Sequence, residues 1–599
     1  MERNAEPRLL RQRPGPLRLG APGCRVLAQR NDSRQRFPKL LLAHETFHVV
    51  PPFLRRPHPR PHRRDGLGNH GHGGGGAPAA KTRLPNQQQP RQNCRHTTCS
   101  PSSPARVHAA SRHRRTAPGL GPFYAAGGSR PATRILAAVQ LAVAVAIVAY
   151  AAATLLLAWR SRGGDTLDYL LAGRRLTTPA FIATLVATWY GGVLGVGEYS
   201  YRFGISNWLV FGVPYYLAAL LFAFLLARPA RASAALSLPD QLRHAYGPAA
   251  GHLGTALVFV VSVPAAYVLM LGELAHIYLG VPLAPATVAA TAFVVLYLAV
   301  GGFRGVVSTN ALQFFLMFAA FAVLLPAALG HTGGLAGLWR ALPASHRTWD
   351  GGMGLQHVAV WYFIALQTLV EPTFYQRCYA ARSPAVARTG ILVSVGFWIV
   401  FDALTTASGL AARVLLPTLA DPVLAYPALG RLLLPPLGNA FFAVGLLATV
   451  MSTAHSYLFL AASTVGHDLV PALRPTADQR RWVVVGLAVA AAAAVALALA
   501  LRSVVQIWHD VGSLVTSALL LPVALAHAPP RFRFSPRLAT VAMAAAAMVA
   551  LLWLAARRDG SYPLGLEPIF PALTVSAAVW LLDRRGQRPA GVDLPAPRR

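Results

Sequence analysis

Three hydroxyl residues in the run LLATVMSTAHSYLFLAAS, Thr449, Ser452 and Thr453, put their oxygens on one helical face, because positions three and four residues apart stack on the same side. Such oxygens serve two kinds of chemistry. They bond back to the carbonyl one turn earlier, or they help to coordinate a hard cation, which takes neutral and charged oxygens alike. The residues alone leave both open. A second run, ATWYGGVLGVGE, holds Gly191, Gly192, Gly195 and Gly197. Each glycine costs a helix interior about 1 kcal/mol, so the cluster favours local unwinding, or else it admits a close helical neighbour. Trp189 and Tyr190 flank it, as packing residues or as a platform for a solute. Four acids, Glu198, Glu273, Glu371 and Asp402, fall in apolar blocks, where an ionised side chain costs at least a few kcal/mol and persists at functional or paired positions. Gln367 and Glu371 share a face at i, i+4 spacing, whereas Glu198 and Arg202 at the same spacing read as a simple ion pair. Glu273 is either protonated or bonded to His276, and His455 reads as a satisfied packing histidine ahead of a proton-linked group.

These groups require a membrane scaffold. The 599 residues are 54% hydrophobic and 13% charged, and the apolar content comes in long blocks. Residues 135–159 carry no charge and, at about 1.5 Å per residue, cross a hydrocarbon core of about 30 Å. Blocks of this kind predict an all-α integral membrane protein of about thirteen spans, at 135–159, 179–199, 207–227, 253–275, 283–301, 308–330, 357–375, 389–412, 439–463, 482–501, 511–527, 538–556 and 566–582. With the C-terminus cytoplasmic, the inner loops hold 22 Arg, among them Arg160, Arg174, Arg231, Arg377 and Arg480, against 8 in the outer loops. The positive-inside rule then predicts a multi-pass protein of the plasma or inner membrane, N-terminus outside. Ten of the spans divide into two sets of five, in regions 179–330 and 331–527. Five crossings invert the starting side, so the second set runs upside-down relative to the first, a transporter architecture with a midplane binding site. Region 131–178 adds a helix and an inner loop before the repeats, and 528–599 adds two helices and a short basic tail.

Residues 1–130 read differently. They hold 24 of the 55 Lys and Arg and five of the 21 acids, so more than half of the +34 net charge sits in an arm rich in Pro, Gly, His and Arg. Such a composition buries too little surface to order itself, and disorder is expected. The abrupt change near Pro131 also fits a start codon assigned too far upstream. The arm offers no folded nucleic-acid module. Its Cys94, His96 and Cys99 lack the second half of a structural zinc site. No Lys follows Lys81, so the apolar body has no Walker A phosphate cradle and no Schiff-base lysine. Nor does it offer a constellation of nucleophile, base and metal, and a non-enzyme powered by an ion gradient is expected.

Several segments together resemble the sodium:solute symporter family, which includes proline and galactose symporters: YLLAGRRL, ATWYGGVLGVGEYSYRFG, AVGGFRGVVSTNALQ, FYQRCYAARSPAVARTGI and LLATVMSTAHSYLFLAAS, in order over roughly 165–530. The resemblance implies a leucine-transporter-like 5+5 inverted repeat and Na+-coupled symport of a small organic solute, with H+ as the alternative coupling ion and no obligate protein partner. It places Na+ on the carbonyls of Leu185 and Thr188, the carbonyl of Thr449 and the hydroxyls of Ser452 and Thr453, and the solute beside Trp189, Tyr190, Gly191, Gly192, Gln367 and Glu371. Two departures stand out. Asn310 takes the place of an acid that many members carry in the fifth core helix, and Ala187 that of a proline-symporter acid in the first. The alternative is a transporter-like sensor or channel, often expected to carry a C-terminal signalling domain, whereas sixteen residues follow Asp583.

Overall fold

The structure, a computed structural model, describes residues 130–501, 504–558 and 562–586. The expectations about the basic arm and its cysteines lie outside the described residues. Among those residues ten helices are long and apolar enough to cross a membrane.

Helix α1 (Arg130–Arg160) shows how one sequence serves two environments. Leu141, Val145 and Val148 form an exposed stripe at helical spacing, while Val143, Tyr150 and Thr154 are buried. Lipid receives the apolar stripe, and Tyr150 accepts a hydrogen bond from Gln313 inside the bundle (2.8 Å). The first predicted span of the first repeat is two helices, α2 (Thr178–Trp189) and α3 (Val193–Phe203). Then come α4 (Val213–Leu225), a short amphipathic α5 (Leu238–Tyr246), and α6 (Pro248–Ser262) broken from α7 (Ala265–Leu279) at Val263 and Pro264. The proline ring supplies no N–H and disfavours a helical predecessor, which ends α6 there.

The predicted spans 283–301 and 308–330 form one run, α8 (Leu283–Thr332), of 50 residues. A straight helix of that length would measure about 75 Å, far more than a bilayer. The run breaks at Gly302, whose φ of 54° and ψ of −151° lie outside the helical region. The predicted span 357–375 is likewise discontinuous, consisting of α9 (Leu355–Ile364), a 3-10 stretch at Ala365–Val370, and α10 (Pro372–Ala380). The first member of each set of five is therefore broken. The remaining elements are α11 (Pro384–Leu415), α12 (Pro436–Ser463), α13 (Gln479–Leu501), α14 (Val504–Ala526), α15 (Pro536–Ala555) and α16 (Ile569–Gly586).

Helix α12 is the centre of the bundle. Continued through Leu473, its spanning window is 83% buried, against 22% for α1 and 28% for α15. It packs most extensively along α8, where Gly445 faces Ala320 so closely that an added Cβ would meet the alanine methyl. The positive-inside reading needs one correction, because Arg377 belongs to α10 and is fully buried.

Gly302 is the backbone position on which the turn inside α8 depends. Its positive φ with an extended ψ costs a non-glycine residue about 1–3 kcal/mol, and a Cβ there would lie 2.4 Å from the Tyr169 ring. Gly302→Ala is expected to lower the yield of monodisperse protein severalfold, measured by fluorescence-detected size-exclusion chromatography.

A candidate cation and solute site

The chain between α2 and α3 tightens into a single 3-10 turn, Tyr190–Gly192, instead of unwinding. Only Gly191 and Gly192 lie in that turn, and Gly195 and Gly197 continue α3 as ordinary helix. The glycine cluster therefore admits neighbours. A Cβ on Gly191 would meet the Thr453 side chain at 2.3 Å, one on Gly192 the Trp508 ring at 2.3 Å, and one on Gly197 the Tyr426 ring at 2.7 Å.

Because Gly191 lets α12 come this near, the last carbonyls of α2 meet α12 hydroxyls directly. Ser452 donates to the Ala187 carbonyl (2.6 Å) and also approaches the Thr449 carbonyl (2.6 Å), and Thr453 donates to the Thr188 carbonyl (2.5 Å). Thr188, Thr449, Ser452 and Thr453 are thus brought together as a cluster of neutral oxygens, a donor set suited to a hard monovalent cation. Leu185 is buried on the same helix, but the carbonyls reached by the α12 hydroxyls are those of Ala187 and Thr188.

A polar network adjoins the cluster. His455 donates from Nε2 to the Asn310 carbonyl oxygen (2.8 Å) and accepts from the Tyr297 hydroxyl at Nδ1 (2.5 Å), a tautomer fixed by its two partners. It is the satisfied histidine expected from the sequence. The Asn310 amide donates to Thr184 Oγ1 (2.7 Å) and more weakly to Thr188 Oγ1 (3.3 Å). Arg377 donates from Nη2 to Thr188 Oγ1 (2.8 Å) and Ser456 Oγ (2.9 Å), and from Nη1 to Gln376 Oε1 (3.0 Å). Ser456 in turn donates to the Ser452 carbonyl (2.8 Å).

On the other side of Trp189 and Tyr190 lies a cavity of about 190 Å³. Of the residues proposed for a solute, Trp189, Tyr190, Gly192, Gln367 and Glu371 line it, whereas Gly191 faces Thr453. Asp402 also reaches the cavity and accepts a short hydrogen bond from the Tyr216 hydroxyl. The wall is aromatic. Trp189 packs edge-on against Tyr215 (5.6 Å between centroids), and Tyr267 packs at a tilt against Tyr457 (5.3 Å) and Trp508 (5.9 Å). Glu371 caps α10, accepting from the Thr373 N–H (3.3 Å). Glu198 does simpler work, pairing with Arg202 (3.0 Å). His276, the alternative partner for Glu273, bonds through Nδ1 to the Val281 carbonyl (2.7 Å).

Sequence reasoning missed Arg377, Ser456 and Thr184, and the aromatic wall at Tyr215, Tyr267, Tyr457 and Trp508. Ser456 follows Ser452 by one turn and was legible from that spacing alone. Arg377 was not, since a charge beside a predicted span end reads as a loop residue.

A sequence profile of the sodium:solute symporter family matches residues 169–528. The chain is 25% identical over 353 residues to a high-affinity choline transporter of Caenorhabditis elegans, covering 54% of this chain and 60% of that protein. It is 25% identical over 370 residues to the osmoregulated proline transporter OpuE of Bacillus subtilis, covering 58% and 75%. Among solved structures, a Na+-coupled sialic acid symporter in a substrate-bound outward-open state superposes with a TM-score of 0.61 over 74% of this chain and 97% of that one, at 16% identity. That likeness shows the fold, an all-α bundle of the leucine-transporter type.

Gly191→Ala and Gly195→Ala separate close approach from helix propensity. The first forces Thr453 away, whereas a Cβ at Gly195 would find its nearest neighbour, the Trp508 ring, at an ordinary 3.5 Å. Gly191→Ala is expected to cost about 2 kcal/mol or more and Gly195→Ala less than about 1 kcal/mol, read as shifts in the thermal melt of the purified protein.

Proposed function

The chain belongs to the sodium:solute symporter family, and we propose that it couples the inward movement of Na+ to uptake of a compact organic solute bearing a positively charged nitrogen. The meeting of the broken helix with the central helix carries the ion half of this reading. Thr188, Thr449, Ser452 and Thr453 supply carbonyl and hydroxyl oxygens within one turn of each other, with Ala187 or Leu185 completing the set from α2. The cavity carries the solute half. Aromatic faces attract an organic cation through their quadrupoles, and Glu371 and Asp402 supply negative charge in the same space. Thr368 Oγ1, buried in the wall with no hydrogen-bond partner among the described residues, offers a further polar contact. The choline and proline named for the two relatives both fit this description.

The mechanism is alternating access. A sodium ion entering between α2 and α12 replaces the direct hydroxyl–carbonyl bonds with coordination, which fixes the end of α2. Trp189 and Tyr190 follow that end directly, so the ion orders one wall of the solute cavity before the solute binds. A membrane potential of 100 mV contributes about 2.3 kcal/mol per charge and a tenfold Na+ gradient about 1.4 more, together enough to concentrate a neutral solute several hundredfold per ion. The arginine distribution supports an outside N-terminus and a cytoplasmic C-terminus in the plasma or inner membrane, with regions 179–330 and 331–527 as the two repeats.

Three experiments test this reading in proteoliposomes. Ser452→Ala with Thr453→Ala is expected to raise the Na+ concentration for half-maximal uptake at least about tenfold; unchanged sodium dependence rejects the ion site. Glu371→Gln is expected to raise the KM for a cationic solute about tenfold with the sodium dependence unaltered. A screen of choline, proline, sugars and carboxylates against the unmodified protein decides the solute class, and uptake confined to an anionic solute rejects it.

A further inference from the structure

The arginine beside the proposed ion site takes no part in the ion or solute contacts described so far. Arg377 is fully buried, and among the described residues no carboxylate lies within 4 Å of its guanidinium. Its surroundings are hydroxyls, an amide, and the Phe303 ring at 5.4 Å. Nε is buried with no hydrogen-bond partner. A charge in that position is retained at a cost, and it is the partners of Nη2 that indicate a role. Thr188 Oγ1 belongs to α2 and Ser456 Oγ to α12, so one nitrogen bridges the two helices between which the coupling ion would sit. The same residues also serve the ion cluster, Thr188 through its carbonyl to Thr453 and Ser456 through its bond to the Ser452 carbonyl.

The lone pairs leave little choice. Thr188 Oγ1 faces two nitrogen donors, Arg377 and Asn310, so its proton points to Ser456 Oγ at 3.0 Å. Ser456 Oγ then accepts from both Arg377 and Thr188 while donating onward. Both hydroxyls are saturated by positive or donor groups. Asn310, bonded to His455, brings no negative charge to offset a second cation.

We propose that Arg377 is a tethered cation that competes with the free coupling cation for the contact between α2 and α12. The ion settles only as the guanidinium gives up Thr188 and Ser456, because two positive charges in one low-dielectric pocket repel. Arg377 thereby sets the ion affinity low and holds the two helices together while the ion is away. This inference rests on the ion site proposed above.

The test is equilibrium binding of 22Na+ to the purified full chain in lipid nanodiscs. Arg377→Gln keeps hydrogen-bonding capacity and loses the charge, and its Na+ half-saturation is expected to fall at least about tenfold. Ser456→Ala, which removes one seat of the guanidinium, is expected to lower it by a few fold, and Arg377→Lys to leave it near the unmodified value. Should the unmodified chain bind no Na+ and Arg377→Gln acquire binding, sodium coupling fails and the tethered cation stands. Unchanged or weaker Na+ binding in a folded Arg377→Gln overturns the proposal. If that variant does not fold, unchanged binding in Ser456→Ala overturns it equally.

Discussion

Where α2 ends, the carbonyls of Ala187 and Thr188 face α12, at a depth where a bilayer leaves no water ready to bond them. The hydroxyls of Ser452 and Thr453 fill that need from α12. The arrangement of the bundle centre follows from this contact. It requires Gly191 for the approach, and it requires α12 to present a polar face in the interior of an otherwise apolar chain. Hydrogen bonds between membrane helices average about 0.6 kcal/mol, so these two bonds and the one from Thr188 to Ser456 hold α2 and α12 by only about 2 kcal/mol. A contact that weak keeps the helices in register, yet it yields to any ligand able to coordinate the same oxygens.

The centre of the bundle is accordingly polar. Thr184, Thr188, Asn310, Gln313, Arg377, Thr449, Ser452, Thr453, His455 and Ser456 are all buried, while Leu, Val and Phe side chains populate the exposed surface. Four of these groups bond to one another in a chain from Tyr297 through His455 and Asn310 to Thr184 and Thr188. Such a network gives the bundle specificity that lipid-like packing alone does not, because each member has only one geometry in which its protons and lone pairs all find partners.

Much of this was legible in the sequence. Charge-free blocks of membrane length specify a helical membrane bundle, and the i, i+3 and i, i+4 spacing of Thr449, Ser452 and Thr453 places their oxygens together. Adjacent positions such as Trp189 and Tyr190 fell at the cavity for the same reason, being tied to the break. What escaped were properties set by three-dimensional neighbours. Whether a glycine unwinds a helix or admits a side chain depends on what lies opposite, and Thr453, Trp508 and Tyr426 lie opposite. Which α2 carbonyl the Ser452 hydroxyl reaches, that of Ala187, is decided within half a turn, finer than a motif match resolves. Arg377 escaped because hydropathy assigns a charge at a span end to water, and nothing local reveals that α10 is buried along its whole length.

The 3-10 turn at Tyr190–Gly192 also sets a dihedral relation between the two halves of the helix it joins. An α-helix advances about 100° per residue and a 3-10 helix about 120°, so three residues in the tighter form turn everything beyond them by about 60° more than a continuous α-helix would. Returning that turn to α geometry would swing the side chains of α3 through the same angle about their own axis, with neither flanking helix unfolding. The turn is thus a torsional joint, converting a change in pitch over three residues into rotation of the whole segment from Val193 to Phe203.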